Sequence, residues 1–202
     1  MGEPIADHPK KFNTSLTDYS IRHKENAGPY APNLEVDALI IGAGFGKSLS
    51  YPSSCYHFRI SFLRTPLKPR IAGIFMLKTL RDRGYKTVIF EAGNGLGGTW
   101  RWNCYPGAGV DSEVPEYELS WPEVWKTWNW PNNYPNYENL RQYFEHVDKV
   151  VGIKKDTAFN TVVVGGGFDT KSGRWIIRTE DGRTTKAKYL VLGTGFVRAQ
   201  FS

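Results

Sequence analysis

A short apolar run, Val36-Asp37-Ala38-Leu39-Ile40-Ile41, passes without a spacer into Gly42-Ala43-Gly44-Phe45-Gly46. Such a run with glycines at its end reads as a strand buried on both faces that turns sharply. Strand, G-x-G-x-x-G turn and helix in immediate succession form the phosphate-binding unit of a dinucleotide fold. The first glycine makes the tight turn, and the second lets a pyrophosphate approach the backbone. The third lets the helix pack on the strand with its N-terminal N–H groups facing the phosphates. Gly42 and Gly44 suit the first two roles, while Gly46 comes one residue early for the third.

Helical patterning begins only at Gly73, with Ile74, Leu77 and Leu80 as the apolar positions and Gly84 as a glycine stop. Before it lies an irregular insertion at about 46–72, rich in Ser, Pro and Arg. Joining Phe45 to Ala72 restores Gly42-Ala43-Gly44-Phe45-Ala72-Gly73, a complete G-x-G-x-x-G opening an amphipathic helix. Gly46-Lys47-Ser48 can be encoded by codons containing GTAAGT, a splice donor, and Ile71-Ala72 by an acceptor-like ATAG. Residues 46–71 are therefore expected to be translated intron; the alternative is a genuine surface loop, which closure entropy alone tolerates. Genomic DNA lacking a donor at codon 46 would remove the intron reading. A second buried strand, Thr87-Val88-Ile89-Phe90, ends on Glu91, placed where an acid can bind a ribose hydroxyl pair.

Residues 1–33 are polar and carry Pro4, Pro9, Pro29 and Pro32, the pattern of a mobile tail. Residues 34–198 form one domain in this reading. Tyr137 to Val151 has helical spacing of Leu140, Tyr143, Phe144 and Val147, with Asn136 as N-cap. Strands are expected at 158–164, 174–179 and 187–192, with turns at Asp169–Gly173 and Glu180–Gly182. Gly165-Gly166-Gly167 reads as a flexible strand segment and not as a second phosphate loop, because no helix follows. The fold class is α/β, a Rossmann-like three-layer domain around a parallel sheet, with a small β-meander.

The net charge of +6 raises the question of nucleic acid, but its location answers it. Lys47, Arg59, Arg64, Lys68 and Arg70 lie within the insertion without an acid among them; setting those five aside leaves +1. A patterned basic face is missing, so no nucleic-acid partner is expected. Two cysteines, Cys55 and Cys104, cannot build a disulfide framework, which favours a reducing compartment. The N-terminus lacks an apolar leader core, and no apolar run approaches the length of a membrane span. A cytoplasmic protein with no membrane partner is the expectation. His8, His23, His57 and His146 are too scattered for a metal site.

The most specific segment is Gly97-Gly98-Thr99-Trp100-Arg101-Trp102-Asn103-Cys104-Tyr105-Pro106-Gly107-Ala108-Gly109-Val110-Asp111. It resembles the GG-x-W…YPGA-x-x-D segment of the Baeyer–Villiger monooxygenases. The match continues through Glu116-Tyr117, Trp128-x-Trp130, Glu138-x-x-Leu-Arg-x-Tyr143, Phe159-Asn-Thr-Val-Val163, Phe168-Asp169 and Tyr189-Leu-Val-Leu-Gly-Thr-Gly195. The resemblance implies FAD as cofactor, held by Gly42, Gly44, Phe45, Gly73, Glu91, Thr99, Trp100, Arg101, Trp102, Asp111, Tyr117 and Val163. Thr99 and Trp100 correspond to residues lying against the flavin, Tyr117 to a FAD-contacting tyrosine, and Val163 to a residue whose backbone meets the adenine. Asp111 corresponds to the aspartate that partners the active-site arginine, a supporting catalytic role. The tryptophans have a blander reading as core aromatics, preferred for Trp125 and Trp128.

The resemblance also implies the reaction: NADPH reduces FAD, and O2 then oxygenates a ketone to an ester or lactone. The catalytic arginine, the NADPH motif and the linker fingerprint lie downstream in that family and have no counterpart before Ser202. The chain is thus expected to be truncated and inactive alone. The alternatives are a non-catalytic FAD-binding fragment and a flavin-containing N- or S-oxygenating monooxygenase.

Overall fold

The computed structural model describes residues 33–44, 72–114 and 116–195. The tail apart from Asn33, Phe45 and the whole of 46–71 lie outside the described residues, so the structure does not bear on the insertion. Among the described residues six strands form one mixed sheet: β1 (Leu34–Ile41), β2 (Thr87–Phe90), β3 (Thr157–Ala158), β4 (Val163–Asp169), β5 (Arg174–Thr179) and β6 (Thr184–Leu192). Their spatial order is β3-β2-β1-β6-β5-β4. The pairs β1–β2, β1–β6 and β2–β3 are parallel, and β4–β5–β6 is an antiparallel meander. The helices among the described residues are α1 (Ala72–Arg81), the one-turn α2 (Thr99–Trp102) and α3 (Pro122–Trp125), and the long α4 (Tyr137–Val151).

β1 is central in the parallel part, and its Ala38, Leu39 and Ile40 are fully buried, as expected of a strand covered on both faces. Ile40 and Ile89 face Ile74 and Leu77 of α1 and Tyr143, Phe144 and Val147 of α4. Leu39, Val88 and Phe90 face the other way, in a cluster with Ala158, Ile177 and Ala187. The meander covers that second face because the sheet curls. The Thr161 N–H donates to the Glu91 carbonyl at 2.9 Å, just past β2. Two residues later β4 begins, and two residues span at most ~7 Å. A flat sheet would hold β2 and β4 about 19 Å apart, four strand spacings. The β4–β5 hairpin therefore arcs back over β1 and β2. Helices, parallel strands and meander make the three layers.

α4 forms where its apolar spacing and caps place it. The Asn136 side chain accepts the Asn139 N–H at 2.9 Å, and Gly152 closes the helix in the left-handed region. Arg81, the last residue of α1, ties the two helices together. It pairs with Asp156 at 2.8 Å and donates to the Gly152 carbonyl at 2.9 Å and to that of Val151.

One expected strand is redrawn. The stretch read as a strand over 158–164 is two elements: β3 pairs with β2, and β4 starts only at Val163 and runs through the three glycines to Asp169. The break exists because Asn160 and Thr161 turn their N–H groups to the carbonyls of Gly93 and Glu91. Asn160 has a positive φ of 51°.

The 93–135 region has little regular structure but supplies core: Leu96, Leu119 and Val124 are buried, and Trp121, Trp128 and Trp130 pack on them. Trp128 lies against Tyr143 and His146, as a core aromatic should. Trp125 does not; it is 43% exposed, because α3 turns Val124 inward and leaves its neighbour outside. The Tyr143 hydroxyl, whose ionisation burial pushes far up, accepts the buried Leu119 N–H at 2.7 Å. Tyr143→Phe removes that acceptor and strands a buried donor. A loss of about 1–3 kcal/mol is expected, read as an earlier midpoint in urea unfolding at unchanged slope.

Candidate functional site

Three chain segments meet at the C-terminal end of β1. The Gly42 N–H donates to the Phe90 carbonyl at 2.8 Å, and the Gly193 N–H donates to the Ile41 carbonyl at 2.8 Å. β1 thus stays paired on both sides up to the point where it turns. Gly42 turns with φ +101°, and a methyl group on it would stand 2.4 Å from the Gly193 carbonyl oxygen. Gly73 stands directly against it in space: a methyl group on Gly73 would lie 1.9 Å from the Gly42 carbonyl oxygen. Only hydrogen at both positions lets α1 begin flush against the strand end.

Gly44 supplies the next contact. It forms a parallel bridge with Gly97, whose N–H donates to the Ala43 carbonyl at 3.2 Å. A methyl group on Gly44 would lie 2.7 Å from the Gly98 α-carbon, and one on Gly98 would lie 2.6 Å from that of Gly44. The two glycine turns therefore interlock backbone to backbone. Gly98 is also the N-cap of α2, so Thr99, Trp100, Arg101 and Trp102 leave directly from this junction. Trp100 and Tyr117 meet edge to face, with ring centroids 6.3 Å apart.

Glu91 locks the junction from below. It is 6% exposed, and its two carboxylate oxygens accept the Ala43 N–H and the Gly93 N–H, each at 2.7 Å. Each oxygen keeps a further lone pair for another donor. A methyl group on Gly93 would touch the indole of Trp102 at 3.3 Å, so Trp102, otherwise half exposed, stands beside Glu91. Val163, opening β4, lies two residues from the Thr161–Glu91 bond and is half-buried.

Asp111 is not drawn into this cluster. It is exposed, and its position is set by its neighbours. Val110 is buried and donates its N–H to the Pro135 carbonyl at 3.1 Å, while Tyr137 N–H donates to the Ala108 carbonyl at 3.0 Å. The Tyr105–Ala108 turn is thereby pinned to the start of α4. Of the twelve residues singled out in the sequence as cofactor-binding, Gly42, Gly44, Gly73, Glu91 and Thr99–Trp102 come together at one junction. Phe45 lies outside the described residues. Sequence reasoning placed Gly193 only in the Tyr189–Gly195 match and not in the site, where it floors the first turn, and it missed the backbone N–H groups of Ala43 and Gly93, which carry no side-chain signal.

The arrangement suits an adenine dinucleotide. The first N–H groups of α1 have no partner within their helix, and no acid stands in its first turn. A buried carboxylate ends the adjacent strand, and indole rings form the rim.

No family model matches the chain. Among curated proteins it is 49% identical over 184 residues to the FAD-binding monooxygenase acrE of Aspergillus aculeatus, covering 91% of this chain and 26% of that protein. It is 34% identical over 164 residues to the cyclopentanone 1,2-monooxygenase of a Comamonas species, covering 81% of this chain and 25% of that protein. Among solved structures it resembles an oxidized steroid monooxygenase bound to NADP, with TM-score 0.65 and 30% identity over 80% of this chain and 26% of that one. The chain spans about a quarter of the length of the relatives it matches.

Proposed function

We propose that this chain, which belongs to the FAD-binding monooxygenases of the Baeyer–Villiger type, forms the part of its enzyme that grips FAD and presents the flavin to the oxygenation site. The whole enzyme is read as an NADPH-dependent monooxygenase of the cytoplasm that converts ketones to esters or lactones with O2. Among the described residues no helix is long and apolar enough to cross a membrane.

The observation that carries the reading is the interlock of Gly44 with Gly98, which joins the phosphate-type turn to the loop bearing Trp100. FAD, when bound, supplies the electron transfer and oxygen activation that no side chain can perform. The chain's own residues bind and orient. Gly42, Gly44 and Gly73 leave bare backbone and a helix N-terminus for the pyrophosphate, and Glu91 receives ribose hydroxyls on its remaining lone pairs. Thr99, Trp100 and Tyr117 line the flavin side and exclude water there. Val163 offers its backbone to the adenine, and Asp111 holds the arginine that another part of the enzyme contributes.

Titrating the purified chain with FAD, followed by quenching of flavin fluorescence, tests the reading. Saturable one-to-one binding at micromolar FAD is the expected result. A folded, cooperatively melting chain that leaves flavin fluorescence untouched would overturn it.

A further inference from the structure

The segment that bears Trp100 and Trp102 is poorly equipped to hold its own shape. α2 is a single turn with no buried residue and no side-chain cap at its start. Its last carbonyls, like those of any helix, have no partner within the helix. Two of them, on Trp100 and Arg101, accept hydrogen bonds from one side chain: Arg141 donates Nε–H to the Trp100 oxygen at 3.0 Å and Nη2–H to the Arg101 oxygen. The Arg141 guanidinium also sits 5.2 Å from the ring centroid of Tyr137, and among the described residues no carboxylate lies within ion-pairing range of it.

A planar fork meeting two successive carbonyls fixes orientation as well as distance, and a cation is favourable at a helix C-terminus. Arg141 projects from α4, whose Leu140, Tyr143, Phe144 and Val147 are anchored in the core. The clamp is therefore tied to a long helix anchored in the core. At its other end α2 is held by Gly98 against Gly44, and Arg101 adds a bond from its Nε to the Asn94 side chain at 3.0 Å.

Resting on the FAD-binding reading, we infer that Arg141 is a positioning residue for the flavin. By clamping the Trp100 and Arg101 carbonyls of α2 it sets the pose of Trp100 and Trp102 against the cofactor, without touching the cofactor itself.

The test uses the full chain as wild type, Arg141→Met and Arg141→Lys, with FAD as the probe. Three quantities are read for each: the melting midpoint without FAD, the dissociation constant, and the visible circular dichroism of the flavin at saturation. The methionine variant keeps the apolar stem, so it is expected to melt within a few degrees of wild type. Its FAD affinity is expected to fall about tenfold, or ~1.4 kcal/mol, with a changed flavin dichroism even at saturation. Lysine keeps the charge but not the fork, so a weakening of at least about threefold is expected, with the same spectral change. It also serves if the methionine variant does not fold. Unchanged affinity and dichroism in whichever variant folds, beside a wild type that binds, would overturn the inference alone. A wild type that binds no FAD would instead overturn the function from which it starts.

Discussion

Gly73→Val is expected to abolish FAD binding and to lower the melting midpoint of the chain by at least about 6 °C. Even the first added carbon would stand 1.9 Å from the Gly42 carbonyl oxygen, a backbone atom with nowhere to yield. Gly42 is held in turn by the Phe90 carbonyl and by Gly193, so retreat of the turn would break the pairing at the end of β1. α1 must therefore lift from the sheet, opening the packing of Ile74 and Leu77 on Ile40 and Ile89. Overpacking on that scale costs about 3 kcal/mol or more, and 1 kcal/mol moves the midpoint of a domain this size by roughly 2–4 °C. Differential scanning fluorimetry with and without FAD reads both effects. A variant that melts like the wild type and still gains stability from FAD would show that α1 does not begin at the strand end.

Glu91→Gln carries the second large effect. Wild-type Glu91 is all acceptor, and it receives two buried backbone donors, from Ala43 and Gly93. Glutamine has the same shape but turns an N–H2 toward one of them, so one donor faces another. A stability loss of about 1–3 kcal/mol is expected from the stranded donor. The loss in FAD affinity should be larger than stability alone explains, because the same side chain is proposed to meet the ribose. Urea unfolding measures the first and fluorescence titration the second. Glu91→Ala leaves both donors bare and should be worse on each count. Equal stability in wild type and glutamine variant would contradict the assignment of Glu91 as the lock beneath the two turns.

What the sequence made legible follows from how local the signals are. β1, α1, β2 and α4 carry their own periodicity and caps, so Leu34–Ile41, Ala72–Arg81, Thr87–Phe90 and Tyr137–Val151 fall close to where apolar spacing puts them. Asn136 and Gly152 mark the ends of α4 because capping is a property of one residue and its immediate neighbours. The 158–164 stretch was different. Its apolar content suggests a single strand, but the partners that split it, Gly93 and Glu91, lie 67 and 70 residues before Asn160 and Thr161. The curl of the meander over β1 and β2 has the same origin in distant pairing. Trp125 reads as core by residue type, and only the packing of Val124 shows which way α3 turns.

The site divides in the same manner. Gly42, Gly44 and Gly73 announce themselves through the G-x-G-x-x-G pattern once the insertion is set aside, and the structure brings Gly42 and Gly73 into contact across it. Trp100 and its neighbours stood out through the YPGA-x-x-D resemblance. The double acceptance by Glu91 and the clamp by Arg141 did not, since one partner in each is a backbone group that every residue possesses. Pattern reveals which side chains are special; it is silent about the peptide groups they bind.

FAD is proposed to touch both glycine turns and the Trp100 helix at once. Hydrogen exchange of the backbone amides, with and without saturating FAD, addresses it most directly. Added protection is expected in three separate segments together: 42–44, 73–75 and 99–102. Saturable binding that protects only one of them, or none, would contradict it.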